Sequence, residues 1–301
     1  MSFNGIPFAK PPIGKLRFLR PEPAEKWEGT KKCTKSVEII QRNIFRTGAP
    51  KQGQEDGLVL NVNTPDLQPK ELLPVMVFIH GGGFVSGSGA RALYGAEHFM
   101  DKDIVLVNIN YRLSVLGGLY LDGKLVPGNQ GMRDQVLALQ WVQENIKQFG
   151  GDKERVTIFG ESAGGMSVMN HYLSPMSKGL FSAAIAMSGS PISPFVGVDK
   201  HPRHYGIKLA EQLGCDPEDS VEKILEKLET VKAIDIQSLG YMFEEFIRAP
   251  LPFKPIVDGG LVDDPFLPDE PLALLANGQF NKVPLMIGTN QNEGLLIKGF
   301  Y

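Results

Sequence analysis

The chain has 301 residues, 31 basic and 34 acidic, for a net charge of −3; 42% of it is apolar and 22% charged. That near-neutral, ordinary globular composition gives no reason to expect nucleic acid or an anionic membrane surface as a partner. No apolar run approaches the roughly 18 residues that a transmembrane helix needs, and the length fits one large domain or two small ones.

In chain order, the opening MSFNGIPFAKPP has neither the basic start nor the apolar stretch of a secretory signal. Residues 63–74, mostly polar with three prolines, read as a surface connection. VMVFIH at 75–80 is short, apolar and β-branched and stops at glycines, and IVLVNINYR at 104–112 reads as a second strand. RVTIFG at 155–160 is a third and VPLMIGTN at 283–290 a fourth. Near-continuous apolar runs of this kind suit central strands covered on both faces.

Between the second and third strands, Val136, Leu139, Val142 and Ile146 recur at three- and four-residue steps before Gly150-Gly151. That spacing predicts an amphipathic helix with a glycine stop. A helix is expected from Ala163 to before Pro175, and two more over 204–214 and 220–231. Strand–helix alternation without repeats or low-complexity tracts predicts a single α/β domain with helices on both faces of a sheet.

Gly160-Glu161-Ser162-Ala163-Gly164 fits G-x-S-x-G. A serine in that pattern needs a sharp turn between a strand and a helix, with glycines keeping Cβ atoms out of the crossing elements. The helix N-terminus that follows adds partial positive charge near a developing oxyanion. Here the pattern follows an apolar run and opens a predicted helix, which separates a nucleophile from an inert turn serine. His80-Gly81-Gly82-Gly83-Phe84 ends the first strand and allows backbone N–H groups to converge, each worth about 3 kcal/mol on a tetrahedral oxyanion. A phosphate cradle is the competing use of such glycines, but no Lys-Ser/Thr follows them.

A serine nucleophile needs a base oriented by a carboxylate, in the chain order Ser, acid, His. GTNQNEG at 288–294 places Glu293 on a strand-end loop that could supply the acid, although by itself it reads as a solvated loop glutamate. The histidines do not complete the set. His80 precedes the glycines, His98 lies in a helix-like segment, His171 falls well into the helix after the serine, and His201 and His204 occupy a polar loop. All five read as structural or solvated, and none of the eight residues after Glu293 is histidine.

With these motifs in place the chain resembles the type-B carboxylesterase/lipase family, which includes the cholinesterases. The segments that carry the likeness are FNGIPFAKPPIGKLRF, EDGLVLNV, HGGGFVSG, NYRLSVLGGL, GNQGMRDQVLALQWVQENIKQFGGD, VTIFGESAGG, AIAMSGS and GTNQNEG, in order along the chain. The resemblance implies an α/β-hydrolase fold with a mostly parallel sheet, occupying residues 1–301 as one partial domain that is incomplete at its C-terminus. It implies Ser162 as nucleophile, Glu293 as acid, and Gly82, Gly83 and Ala163 as oxyanion donors. It also implies a small-molecule carboxylic ester as substrate and no metal or cofactor; it says nothing of the oligomeric state.

The departures sharpen the reading. Family members are longer, and their histidine lies beyond the acid, so the chain is expected to be truncated at both ends and to hydrolyse esters weakly or not at all by itself. Gly57 stands where the family has a cysteine, and Cys215 has no later partner, a pattern that resembles the insect α-esterases, as does Val136 in place of an arginine that pairs with Asp152. Two cysteines far apart, no Asn-x-Ser/Thr sequon and no leader together favour a cytoplasmic over a secreted setting. Cholinesterase identity is disfavoured: Phe45 is the only aromatic in 41–54, where a tryptophan would meet a quaternary ammonium, and Phe195 aligns with an acyl-pocket tryptophan. Two other readings compete. One is the HGGG esterases of the hormone-sensitive-lipase group, which place a histidine near their C-terminus; the other is a non-catalytic relative of neuroligin type, which loses triad positions that are kept here.

Overall fold

The computed structural model describes residues 1–41, 53–193, 197–240 and 251–298. The segment containing Phe45, and Phe195 itself, lie outside the described residues.

One seven-stranded sheet organises the molecule. Its strands are β1 (Ser2–Pro7), β2 (Val59–Asn63), β3 (Leu73–Ile79), β4 (Val105–Ile109), β5 (Gly151–Glu161), β6 (Ala183–Met187) and β7 (Leu285–Gly288), ordered β1-β2-β4-β3-β5-β6-β7. The four pairings from β4 through β7 are parallel, while β1 and β2 add an antiparallel edge. The sheet is therefore mostly parallel, as expected. The surface connection of 63–74 is shorter than read, because Asn63 closes β2 and Leu73 and Pro74 open β3.

The helices are α1 (Ser114–Gly118), α2 (Gln130–Asn145), α3 (Ala163–Leu173), α4 (Pro202–Gln212), α5 (Val221–Thr230), α6 (Ala233–Leu239), α7 (Pro271–Ala276) and α8 (Leu295–Lys298). The apolar stripe of α2, Val136, Leu139 and Val142, packs in one core with Val75, Val77 and Ile79 of β3 and with Met166 and Val168 of α3. β-Branched residues at these strand positions fit the pleated, covered surface. The opposite face of β3 and β5 buries Phe78 and Phe159 under Ala96, Tyr94 and Phe99. A satellite core joins α4, α5 and α6 to α1 and its C-cap through Leu209, Ile224, Leu228, Ile236, Val115 and Leu119.

Some helical expectations shift. His98 is the N-cap of a single 3-10 turn (Phe99–Asp101) rather than part of an α-helix. His201 caps α4 and His204 lies inside it, because Pro202 at the first turn supplies a preset helical dihedral. Cys33 and Cys215 are both free thiols. No helix among the described residues is long and apolar enough to cross a membrane.

The fourth apolar run is the notable departure. It was expected to be covered on both faces, yet β7 lies at the edge, with Met286 65% and Ile287 59% exposed. Its apolar composition suits a central strand, but among the described residues only β6 pairs with it. An exposed, hydrophobic edge strand is a template for association. The 301-residue chain is therefore expected to self-associate with rising concentration, and Met286→Lys with Ile287→Lys to restore monomer. Analytical ultracentrifugation reads this directly; concentration-independent sedimentation of the unaltered chain would count against it.

Candidate active site

Ser162 sits between the end of β5 and the first residue of α3, with φ 58° and ψ −122°. A non-glycine residue held at positive φ costs on the order of 1–3 kcal/mol and persists only where its surroundings enforce it. The enforcement is visible. The Ser162 N–H donates to Met187 O at 2.9 Å, and Ser162 O accepts from Met166 N at 2.9 Å. A Cβ on Gly164 would lie 2.0 Å from Ile79 O, so only glycine allows α3 to cross β3 this closely.

The glycine loop after β3 lies against the same point. A Cβ on Gly81 would stand 3.2 Å from Ser162 Cβ and 2.6 Å from Glu161 O. Within the loop, Gly82 (φ 109°) and Gly83 (φ 64°) adopt the positive dihedrals that favour glycine.

Each peptide unit here has its carbonyl engaged. Gly81 O lies 2.8 Å from His80 Nδ1. Gly82 O accepts from Val85 N (3.1 Å), Ser86 N (3.0 Å) and Ser86 Oγ (3.2 Å). Ser162 O is taken by Met166 N. In a trans peptide the N–H points opposite to the C=O. The N–H groups of Gly82, Gly83 and Ala163 therefore point away from those bonds, and among the described residues no carbonyl accepts from them. Ala163 N–H is also one of the unpaired donors at the start of α3. Three such donors beside a serine can receive a negatively charged oxygen.

Glu293 follows β7 and is brought to the same end of the sheet. Its Oε1 accepts from Ser188 Oγ at 2.6 Å and from the Asn290 N–H at 2.7 Å. The Ser188 hydroxyl, and next the Asn290 N–H, hold its carboxyl below the ordinary range. Glu161 is shifted the other way, upward, first by partial desolvation and then by the negative charge of Glu293. Two neighbouring carboxyls are thus driven apart in acidity, with Glu293 the stronger acid of the two.

Ser188, at φ 50° just past β6, had no assigned role in the sequence reading. Ser-Gly-Ser after a strand reads as a turn, and only the pairing of β6 with β7 brings it to Glu293.

None of the five histidines hydrogen-bonds Ser162 or Glu293. His171 is buried, with Nδ1 2.7 Å from Ser177 Oγ and Nε2 2.9 Å from Gln135 Oε1, and burial pushes its pKa down to about 3. It is a structural core residue, as expected. Asp152, deprived of an arginine at 136, pairs instead with Arg155 at 2.7 Å.

Residues 1–300 match the model of the carboxylesterase family. The chain is 44% identical over 302 residues to a juvenile hormone esterase of Tribolium castaneum, covering 98% of this chain and 51% of that protein. It is 39% identical to esterase B1 of Culex pipiens (99% and 56%) and 37% identical to an acetylcholinesterase of Bungarus fasciatus (97% and 50%). The chain thus spans about half the length of these curated relatives.

Proposed function

The chain belongs to the carboxylesterase family, with its α/β-hydrolase fold, and on that footing we propose that the whole protein hydrolyses carboxylic esters through an acyl-enzyme formed on Ser162. The observation that carries the reading is Ser162 itself, strained at positive φ where β5 turns into α3 and packed beside a loop with free N–H donors. Ser162 Oγ adds to the ester carbonyl while its proton passes to a base. Gly82, Gly83 and Ala163 donate to the oxygen as it becomes negative. Collapse expels the alcohol, which takes the proton back, and water then releases the acid by the same route.

Glu293 orients the base, a place that none of the five histidines takes among the described residues; the chain alone is accordingly expected to be a poor esterase. The substrate class is an ester with an apolar acyl group; one relative is named juvenile hormone esterase. The reaction needs no metal or cofactor.

An aryl fluorophosphonate tests the assignment. Treated with it, the whole protein should lose esterase activity in proportion to label, and tandem mass spectrometry should find the label on Ser162. Full labelling of Ser162 with activity retained, or label confined to another serine, overturns it.

A further inference from the structure

His80 is completely buried, yet the ester-cleaving chemistry assigns it nothing. Its ring stacks on Tyr111 with centroids 4.4 Å apart and planes 18° from parallel. Tyr111 Oη donates to His80 O at 2.8 Å, and His80 Nδ1 lies 2.8 Å from Gly81 O. The other ring nitrogen, Nε2, is buried without a partner among the described residues.

These contacts fix the tautomer. A proton on Nε2 would leave a buried N–H unsatisfied and set the Nδ1 lone pair against a carbonyl oxygen. A proton on Nδ1 makes the bond to Gly81 and leaves only an unused lone pair, the cheaper vacancy. Burial lowers the His80 pKa to about 4, so the neutral ring persists at physiological pH.

We infer that His80 is a positioning residue of the oxyanion site: its Nδ1–H holds the Gly81 carbonyl and so aims the Gly82 N–H of the same peptide at the substrate oxygen. This rests on the reading of Gly82 as a donor and goes beyond it by naming what sets the donor's direction. The next peptide is tied in the same sense by Val85 and Ser86, and the preceding one by Tyr111. Without the His80 bond, the 81–82 peptide is the one free to rotate between two positive-φ glycines and a strand end. Space is also reserved for the bond. A Cβ on Gly87 would stand 2.4 Å from His80 Nδ1 and 2.5 Å from Gly81 O.

The test uses the whole protein, with rates divided by the concentration of sites titrated by phosphonate. His80→Phe keeps the ring and removes the donor; kcat should fall by about 10- to 100-fold while KM stays within about threefold. His80→Asn, whose amide nitrogen can stand near the Nδ1 position, should recover most of kcat. A trifluoromethyl ketone that forms an anionic adduct on the serine should lose affinity in step with kcat/KM. A purely structural role would instead change the number of titrated sites and leave kcat per site alone.

Unchanged kcat per site in His80→Phe, with Ser162→Ala inactive, overturns the inference and spares the proposed function. Activity retained in Ser162→Ala overturns the proposed function instead. Should His80→Phe fail to fold, ¹⁵N spectra of the unaltered protein decide: an Nδ1-protonated His80 supports the inference, and an Nε2-protonated ring overturns it.

Discussion

Ser162→Ala in the whole protein should lower kcat for an aryl ester by about 10⁴- to 10⁶-fold and leave KM nearly unchanged, the usual loss when a triad nucleophile is removed. In activation free energy that is about 5–8 kcal/mol. The same substitution in the 301-residue chain should alter its rate by less than about tenfold. Members of a triad act as a unit, so deleting the hydroxyl costs little where no base takes its proton. The pair of measurements separates two ideas that either alone would merge. A large loss in the whole protein identifies the nucleophile, while a small loss in the short chain places the base outside these residues. A loss of 10⁴-fold in the short chain would mean that a base is already within reach of Ser162. None of the five histidines occupies that place, two of them being locked in the core by Gly81, Gln135 and Ser177.

The serine turn was legible because its causes are local. A β-branched run, two glycines and a small-residue helix start leave few ways for the backbone to pass. The strands that escaped the reading are those whose stability comes from elsewhere. β6 is AAIAM, with little β-propensity of its own, and exists because β5 and β7 pair with it on either side. β2 carries Asn61 in a fully buried run; that polar side chain is satisfied by Gly5 N and Gly89 O, 56 and 28 residues away. The expectation for β7 failed in the opposite direction, since its composition describes a covered strand and among the described residues only β6 pairs with it. Glu293 is singled out only by the family resemblance, its loop alone reading as solvated, and the Ser188 hydroxyl that lowers its pKa is 105 residues distant in sequence. Distances of that order are set by sheet order, which no local pattern encodes.

Asp134→Ala should destabilise the fold by about 3–5 kcal/mol, the cost of stranding a buried guanidinium. Arg112 and Asp134 are 2% and 0% exposed. The carboxylate receives Arg112 Nε and the backbone N–H on Oδ2 at 2.8 and 2.9 Å, and a second guanidinium nitrogen on Oδ1 at 2.6 Å. The remaining guanidinium nitrogen donates to Arg17 O and Leu19 O. One ion pair therefore joins the end of β4, the helix α2 and the N-terminal segment.

A hydrophobic pair of similar volume, Arg112→Met with Asp134→Leu, should cost less than Asp134→Ala alone, because no charge is left behind. It should not be neutral, because the carbonyls of Arg17 and Leu19 lose their donor, at about 1–3 kcal/mol for each that stays unpaired. Chemical denaturation of the three chains with a common m-value measures both differences. Equal destabilisation by the single and double changes would mean that packing, not charge, is what the site supplies. The pair also reaches the active site. Arg112 lies one residue past Tyr111, which holds His80 O, and two before Ser114, whose N–H holds Phe84 O. Both ends of the glycine loop are thereby moored to the segment that Asp134 fixes, so Asp134→Ala should lower kcat per titrated site as well as stability.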